Sequence, residues 1–218
     1  MLDATRIAAL LRPFADVSDE LANRLRIYLD LLLRWNARIN LTAIRDPEQI
    51  VTRHFGESLF AACILCDAGA LKAGAGGAPT LLDIGSGAGF PGIPIKLVAP
   101  EVHITLIESQ NKKATFLRQV IRTLDLKGID VCSERAETWK HPAQIVTLRA
   151  VEKFEQTLSL AATLVAPTGT LCLLIGREQV PSAEAVLAPC WYFRKAVAMP
   201  SSRERVVLVG LLANGIAI

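Results

Sequence analysis

Leu21, Leu25, Tyr28, Leu29, Leu32 and Trp35 recur at three- and four-residue intervals among polar neighbours, the stripe of a helix that buries one side. Ser18 stands where an N-cap belongs, and Asp19 and Glu20 put negative charge where the helix dipole favours it. Asn40-Leu41-Thr42 breaks the stripe, Asp46-Pro47-Glu48 starts a second helix, and residues 52–66 continue with Phe55, Leu59 and Ala62 on one face. The chain then changes character. Residues 67–79 are rich in Gly and Ala, end in Pro79, and read as a linker. Beyond them, short apolar runs suited to buried strands alternate with helical stretches. Strands are expected at 81–84, 102–107, 129–132, 145–148 and 169–175, and helices at 91–98, 111–124 and 152–165. Two apolar-alternating segments, 186–198 and 205–212, close the chain as a candidate antiparallel pair. The order predicts an N-terminal helical cap (1–66), the linker (67–79) and an α/β core (80–218). That core is a mostly parallel sheet with an antiparallel C-terminal edge.

The junction of the first strand and its helix carries the chemistry. Leu82-Asp83-Ile84 runs into Gly85-Ser86-Gly87-Ala88-Gly89-Phe90-Pro91, a glycine turn at the carboxyl end of a strand, where Rossmann-like folds bind their ligands. Three glycines at alternate positions differ from the dinucleotide fingerprint, whose third glycine falls at the position of Phe90. That glycine lets strand and helix close around a pyrophosphate, which a phenylalanine would obstruct. S-adenosylmethionine (AdoMet) has no phosphate and needs only the close backbone approach that Gly85 and Gly87 allow. Glu108, at the end of the second strand, is set to accept both ribose hydroxyls; NAD enzymes use an acid there too, so it marks a nucleoside without separating the two cofactors. Phe90 and the spacing favour AdoMet.

Composition narrows the class. At 51% hydrophobic and 21% charged, with no apolar run of membrane-spanning length, this is an ordinary globular composition. The first residues lack the basic-then-apolar pattern of a secretory signal, so a cytoplasmic, monomeric protein is expected. Cys63 and Cys66 form a single C-x-x-C without a second pair or nearby histidine, so no metal site is expected; the five cysteines read as small buried thiols. Net charge is only +3, but basic residues outnumber acidic ones between Asn111 and Lys153, and Arg194, Lys195, Arg203 and Arg205 form a second group. Each group fits either a phosphate-tracking surface or a solvated face.

Methyl acceptors differ in the residues their chemistry needs. Attack by a pyrimidine carbon requires a cysteine nucleophile near the cofactor, and Pro189-Cys190 falls too late in the chain. Exocyclic amines commonly use an Asn/Asp-Pro-Pro-aromatic loop after the fourth strand, where this chain has Leu148-Arg149-Ala150. A ring nitrogen such as guanine N7 exposes a lone pair and needs alignment and charge compensation rather than a base.

The segments Asn40-Leu41-Thr42-Ala43-Ile44, Arg53-His54-Phe55, Ser58-Leu59 and Leu82 through Pro94 closely resemble the bacterial RsmG (GidB) family. Lys112-Lys113-x-x-Phe116-Leu117, Arg135-Ala136-Glu137 and Arg149-Ala150 extend the resemblance over nearly the whole chain. It implies a class I AdoMet-dependent methyltransferase acting on N7 of a guanine in 16S rRNA of the small ribosomal subunit. It further implies that Gly85, Phe90 and Glu108 contact AdoMet, that Ala136 and Glu137 flank its adenine, and that Arg149 serves both cofactor and catalysis. Asp83 and Gly87 are counted with the cofactor residues from their places in the turn. Lys112, Lys113, Arg177, Arg203 and Arg205 are the expected RNA contacts. Arg149 has a plainer alternative as a surface ion pair with Glu152 or Glu137, and His54 stays open between structure and function. The chain departs from the family pattern at Ile175, where a lysine is usual, with Arg177 as the candidate substitute; Leu148 likewise replaces a serine. A small-molecule methyltransferase would instead have a sealed apolar pocket without a basic rim, and an AdoMet-binding regulator would not turn over.

Overall fold

β1 (Thr80–Ile84) lies inside the sheet with parallel neighbours on both sides, which is why four of its five residues are buried and apolar residues follow one another without alternation. In the computed structural model, which describes residues 2–73 and 77–213, the sheet order is β3-β2-β1-β4-β5-β8-β6. β2 (His103–Ile107), β3 (Ile129–Cys132), β4 (Ala143–Arg149) and β5 (Val165–Gly176) run parallel to β1. β8 (Arg205–Leu212) pairs antiparallel with β5, and β6 (Trp191–Phe193) and β7 (Val197–Ala198) lie antiparallel on its other side. The Rossmann-like sheet with an antiparallel C-terminal edge is therefore present as expected.

Strand alternation divides the core into two layers. Leu81, Ile104, Leu106, Ile145, Cys172 and Leu174 join one cluster, while Leu82, Ile84, Val146, Leu148, Leu171 and Leu173 join the other. The first layer packs against α1 (Ala4–Leu11), α2 (Asp19–Ile39), α4 (Glu57–Asp67), α5 (Gly92–Val98) and α6 (Asn111–Thr123). The second packs against α7 (Phe154–Thr163) and α8 (Val180–Leu187). The N-terminal helices are thus a full layer of the sandwich, sharing its core. Ser18 caps α2 by accepting from the Leu21 N–H at 3.2 Å, and Asn40 ends it in the left-handed region.

Between α3 (Pro47–Ile50) and α4, residues Val51–Gly56 wind as a π-helix, a local widening that the apolar stripe did not announce. Residues 74–76 of the expected linker, and the chain ends, lie outside the described residues. Two expectations are corrected. The segment 186–198 is not one strand: α8 occupies its start, with Pro181 in the first turn, a position proline tolerates. β5 begins at Val165, because Pro167, Thr168 and Gly169, which look like a turn, form an irregularity where the β4–β5 register shifts. No helix among the described residues is long and apolar enough to cross a membrane.

Candidate cofactor and substrate crevice

After β1 the backbone turns through three left-handed glycines, Gly85 (φ 69°), Gly87 (φ 56°) and Gly89 (φ 91°). A Cβ on Gly89 would meet Ile93 at 2.6 Å, so this glycine lets the turn pack against the helix that follows. At Gly85 the constraint is conformational, since the nearest atom to an added Cβ is a Val151 methyl at 3.3 Å. Glu108, buried at the end of β2, accepts from the Gly87 N–H at 3.0 Å and the Gln110 N–H at 2.8 Å. Each bond uses a different carboxylate oxygen, and each oxygen keeps a second lone pair for a ligand.

Asp83, expected among the cofactor residues, stands behind the turn and not in the crevice. Its side chain is fully buried, lines neither of the pockets described below, accepts from the Gly92 N–H at 3.1 Å and the Thr147 hydroxyl at 2.7 Å, and so ties α5 to β4 behind the turn. Burial pushes its carboxyl up to about 6, against the pull of those hydrogen bonds.

Two open cavities meet at this turn. One, of about 390 Å³, is lined by Gly85, Glu108, Ala136, Glu137 and Val151, among others. The other, of about 310 Å³, is lined by Thr42, Arg53, His54, Gly87, Phe90 and Arg149, among others. Gly85, Glu108, Lys113 and Ala150 line both, so the two are halves of one crevice. It lies outside the carboxyl ends of β1, β2 and β4, where parallel α/β sheets bind ligands. The sequence-predicted residues Gly85, Glu108, Ala136 and Glu137 share the first half; Gly87, Phe90 and Arg149 stand in the second.

Arg149 ends β4, on the same face as Thr147 by strand alternation, and therefore points into the N-terminal helical layer. Its Nη2 donates to the Arg53 carbonyl at 2.6 Å and to Glu57 Oε2 at 3.2 Å, with the guanidinium carbon 5.8 Å from the centre of the Phe90 ring. The partner is thus Glu57, not the expected alternatives Glu152 or Glu137, and the contact is internal, with only 12% of the Arg149 side chain exposed. Glu57 Oε1 also takes Arg205 Nε at 2.7 Å.

His54 stacks on Phe90 with ring centres 4.9 Å apart, and its Nε2 lies 2.8 Å from the Thr42 hydroxyl. Among the described residues its Nδ1 is the buried side-chain polar atom without a partner. Burial first, and the charges of Arg149, Arg53 and Arg205 second, hold this imidazole neutral, with its pKa lowered to about 3. Arg53, Glu57 and Thr42 are site residues that residue-level reasoning missed. Arg53 and Thr42 lie in segments that carried the family resemblance, and that was the signal available for them.

The expected RNA residues separate. Lys112 is exposed on α6 and lines neither half of the crevice, whereas Lys113 lines both. Arg177 and Arg203 are exposed together, with Arg177 Nε donating to the Arg203 carbonyl at 3.1 Å. Arg205 is half-buried and committed to Glu57. The cysteines also depart from expectation: Cys63 and Cys66 are exposed on α4, and Cys172 alone of the five is buried.

A family model described as rRNA small subunit methyltransferase G (GidB) matches residues 21–198. Among curated relatives, a Ribosomal RNA small subunit methyltransferase G of Roseiflexus castenholzii is 43% identical over 161 residues, covering 71% of this chain and 62% of that protein. A second, of Myxococcus xanthus, is 35% identical over 177 residues, covering 79% and 77%. The chain spans 62% of the length of both Roseiflexus relatives it matches. Among solved structures, magnesium protoporphyrin IX methyltransferase from Synechocystis with bound SAM superposes with a TM-score of 0.65 at 15% identity, covering 87% of this chain and 97% of that one. TrmN from Thermus thermophilus superposes with a TM-score of 0.58 at 17% identity, covering 75% and 53%. These two likenesses concern the fold alone.

Proposed function

Because the chain belongs to the GidB family of rRNA small subunit methyltransferases, we propose that it transfers a methyl group from AdoMet to N7 of one guanine in 16S rRNA. Its partner is then the small ribosomal subunit or an assembly precursor, met in the cytoplasm by a monomeric enzyme.

The observation that carries the N7 assignment is the want of a working base among the described residues around the second half of the crevice. Its polar lining is cationic or neutral apart from Glu108, whose oxygens already take two backbone N–H groups. His54, with a pKa of about 3, is a poor proton acceptor at neutral pH. N7 presents a lone pair and releases no proton during transfer, so such a lining suffices.

The residues present fit AdoMet. The turn at Gly85 leaves backbone accessible, Glu108 retains lone pairs for ribose hydroxyls, and Ala136 and Glu137 offer an edge for adenine. When bound, AdoMet would supply an electrophilic methyl on sulfur, which N7 would take as the electrons of the S–C bond return to sulfur. Positive charge moves to the base in that step. A cation against N7 would oppose it, so the useful target of Arg149 is O6, a phosphate or the cofactor carboxylate. A neutral His54 adds no further repulsion.

The test is incubation with labelled AdoMet and small subunits lacking the modification, followed by mapping of the label. Label at N7 of a single guanine, beyond one equivalent per enzyme, is expected; label elsewhere or sub-stoichiometric incorporation would overturn the proposal.

A further inference from the structure

Three guanidinium groups converge on one carboxylate. Glu57 Oε1 takes Arg205 Nε at 2.7 Å, Oε2 takes Arg149 Nη2 at 3.2 Å, and Arg53 Nε lies 3.8 Å from Oε1. The Glu57 side chain is 3% exposed, against 30% for Arg205 and 44% for Arg53. One carboxylate balances one guanidinium, so the cluster holds two positive charges in excess. Gathering like charges at a half-buried site is costly unless an anion completes it.

The excess is aimed. Arg53 and Arg149 line the second half of the crevice, and Lys113 lines it as well. Both side-chain bonds of Arg149 use Nη2, and among the described residues the rest of its planar fork takes no partner. Arg205, opposite Gly176 in the β5–β8 register, lines neither half of the crevice and gives both Nε and Nη2 to Glu57 Oε1. Three elements, the π-helix, β4 and β8, thus bring donors to one place, and Glu57 fixes their spacing before any ligand arrives.

We infer that Arg53 and Arg149, organised by Glu57 and its partner Arg205, form an oxyanion subsite that takes the phosphate of the target nucleotide. Planar guanidinium forks match phosphate oxygens in pairs, which a lysine cluster would not do. The subsite rests on the proposed function, because it supposes a nucleotide in the second half of the crevice. It refines that reading by separating tasks: the phosphate anchors the nucleotide, and the base is left to present N7. The other oxyanion available to the site is the carboxylate of the cofactor, and the experiment distinguishes the two.

With S-adenosylhomocysteine bound, guanosine 5′-phosphate and guanosine are titrated into the protein and followed by calorimetry. The nucleotide is expected to bind at least about tenfold more tightly, from charge-assisted bonds to the phosphate. Arg53→Gln and Arg205→Gln should each erase most of that advantage while leaving guanosine and S-adenosylhomocysteine affinities unchanged. Should Arg205→Gln fail to fold, Arg53→Gln, at an exposed side chain, carries the test. Equal binding of nucleotide and nucleoside by the wild type overturns the inference. So does a loss of S-adenosylhomocysteine affinity in either variant with the phosphate advantage intact, which assigns the cluster to the cofactor carboxylate. Adenosine 5′-phosphate binding as well as guanosine 5′-phosphate, with the same dependence on the arginines, supports the subsite and counts instead against a guanine target.

Discussion

Gly85 has a φ of 69°, a region that a β-branched residue enters only under strain. Gly85→Val should cost about 1–3 kcal/mol of stability and leave a folded protein, since the obstructing atom is a single Val151 methyl. AdoMet binding should fall below detection by calorimetry, because the altered turn no longer presents its backbone to the cofactor; a folded variant that still binds would remove the turn from the site. Arg149→Lys tests geometry against charge. Lysine can keep the pairing with Glu57 but has no planar fork, so the thermal melt should change little while the single-turnover methylation rate falls, by roughly a hundredfold if the base is misplaced by about 1 Å. A folded Arg149→Ala protein with the wild-type rate would exclude this residue.

Helix α6 was expected to put two lysines on RNA, yet its first turn divides them. Lys112 faces solvent and Lys113 lines both halves of the crevice. Single variants should therefore separate the two functions. Lys112→Glu is expected to flatten the salt dependence of RNA binding by roughly 0.7–0.9 in log–log slope and spare AdoMet. Lys113→Gln should weaken AdoMet. If both variants altered only the RNA slope, Lys113 would return to the RNA surface. At the other end of the fold, the α2 cap is purely structural: Ser18→Ala should cost about 1 kcal/mol in urea unfolding without touching cofactor affinity.

Across the whole molecule, two buried groups give stability opposite dependences on pH. The folded pKa of His54, about 3, lies below its unfolded value of 6.5. Its contribution is therefore present above pH 6.5 and is lost as pH falls toward 3, at up to about 1.4 kcal/mol per unit. Asp83 is raised to about 6 from 3.8, so its contribution is present below pH 3.8 and is lost as pH rises through 6. Between pH 4 and pH 6 the two offset each other. His54→Gln, which keeps an amide near Thr42, should make stability rise as pH falls through that window, and Asp83→Asn should make it fall more steeply than in the wild type. Urea unfolding at several pH values measures both slopes; variants that track the wild type would show that neither group titrates as buried.

What the sequence determined by itself is what local physics encodes. Periodicity and caps placed most of the helices and strands, alternation and burial implied a parallel sheet with an antiparallel end, and the Gly85–Gly89 turn with Glu108 marked one half of the crevice, because those residues are close along the chain or at successive strand ends. Only the tertiary structure decided the rest. Alternation sends Arg149 to one face of the sheet but does not say that Glu57, 92 residues earlier, waits there, or that Arg205, 148 residues beyond Glu57, shares it. The phase of Arg53 and His54 depends on a π-turn that apolar spacing does not encode. Asp83 resembles a ligand contact in the motif and becomes a buried tie, since its neighbours Gly92 and Thr147 lie on different elements. Charge and ligand chemistry here depend on burial and on partners brought from distant segments, and those exist only once the layers have packed.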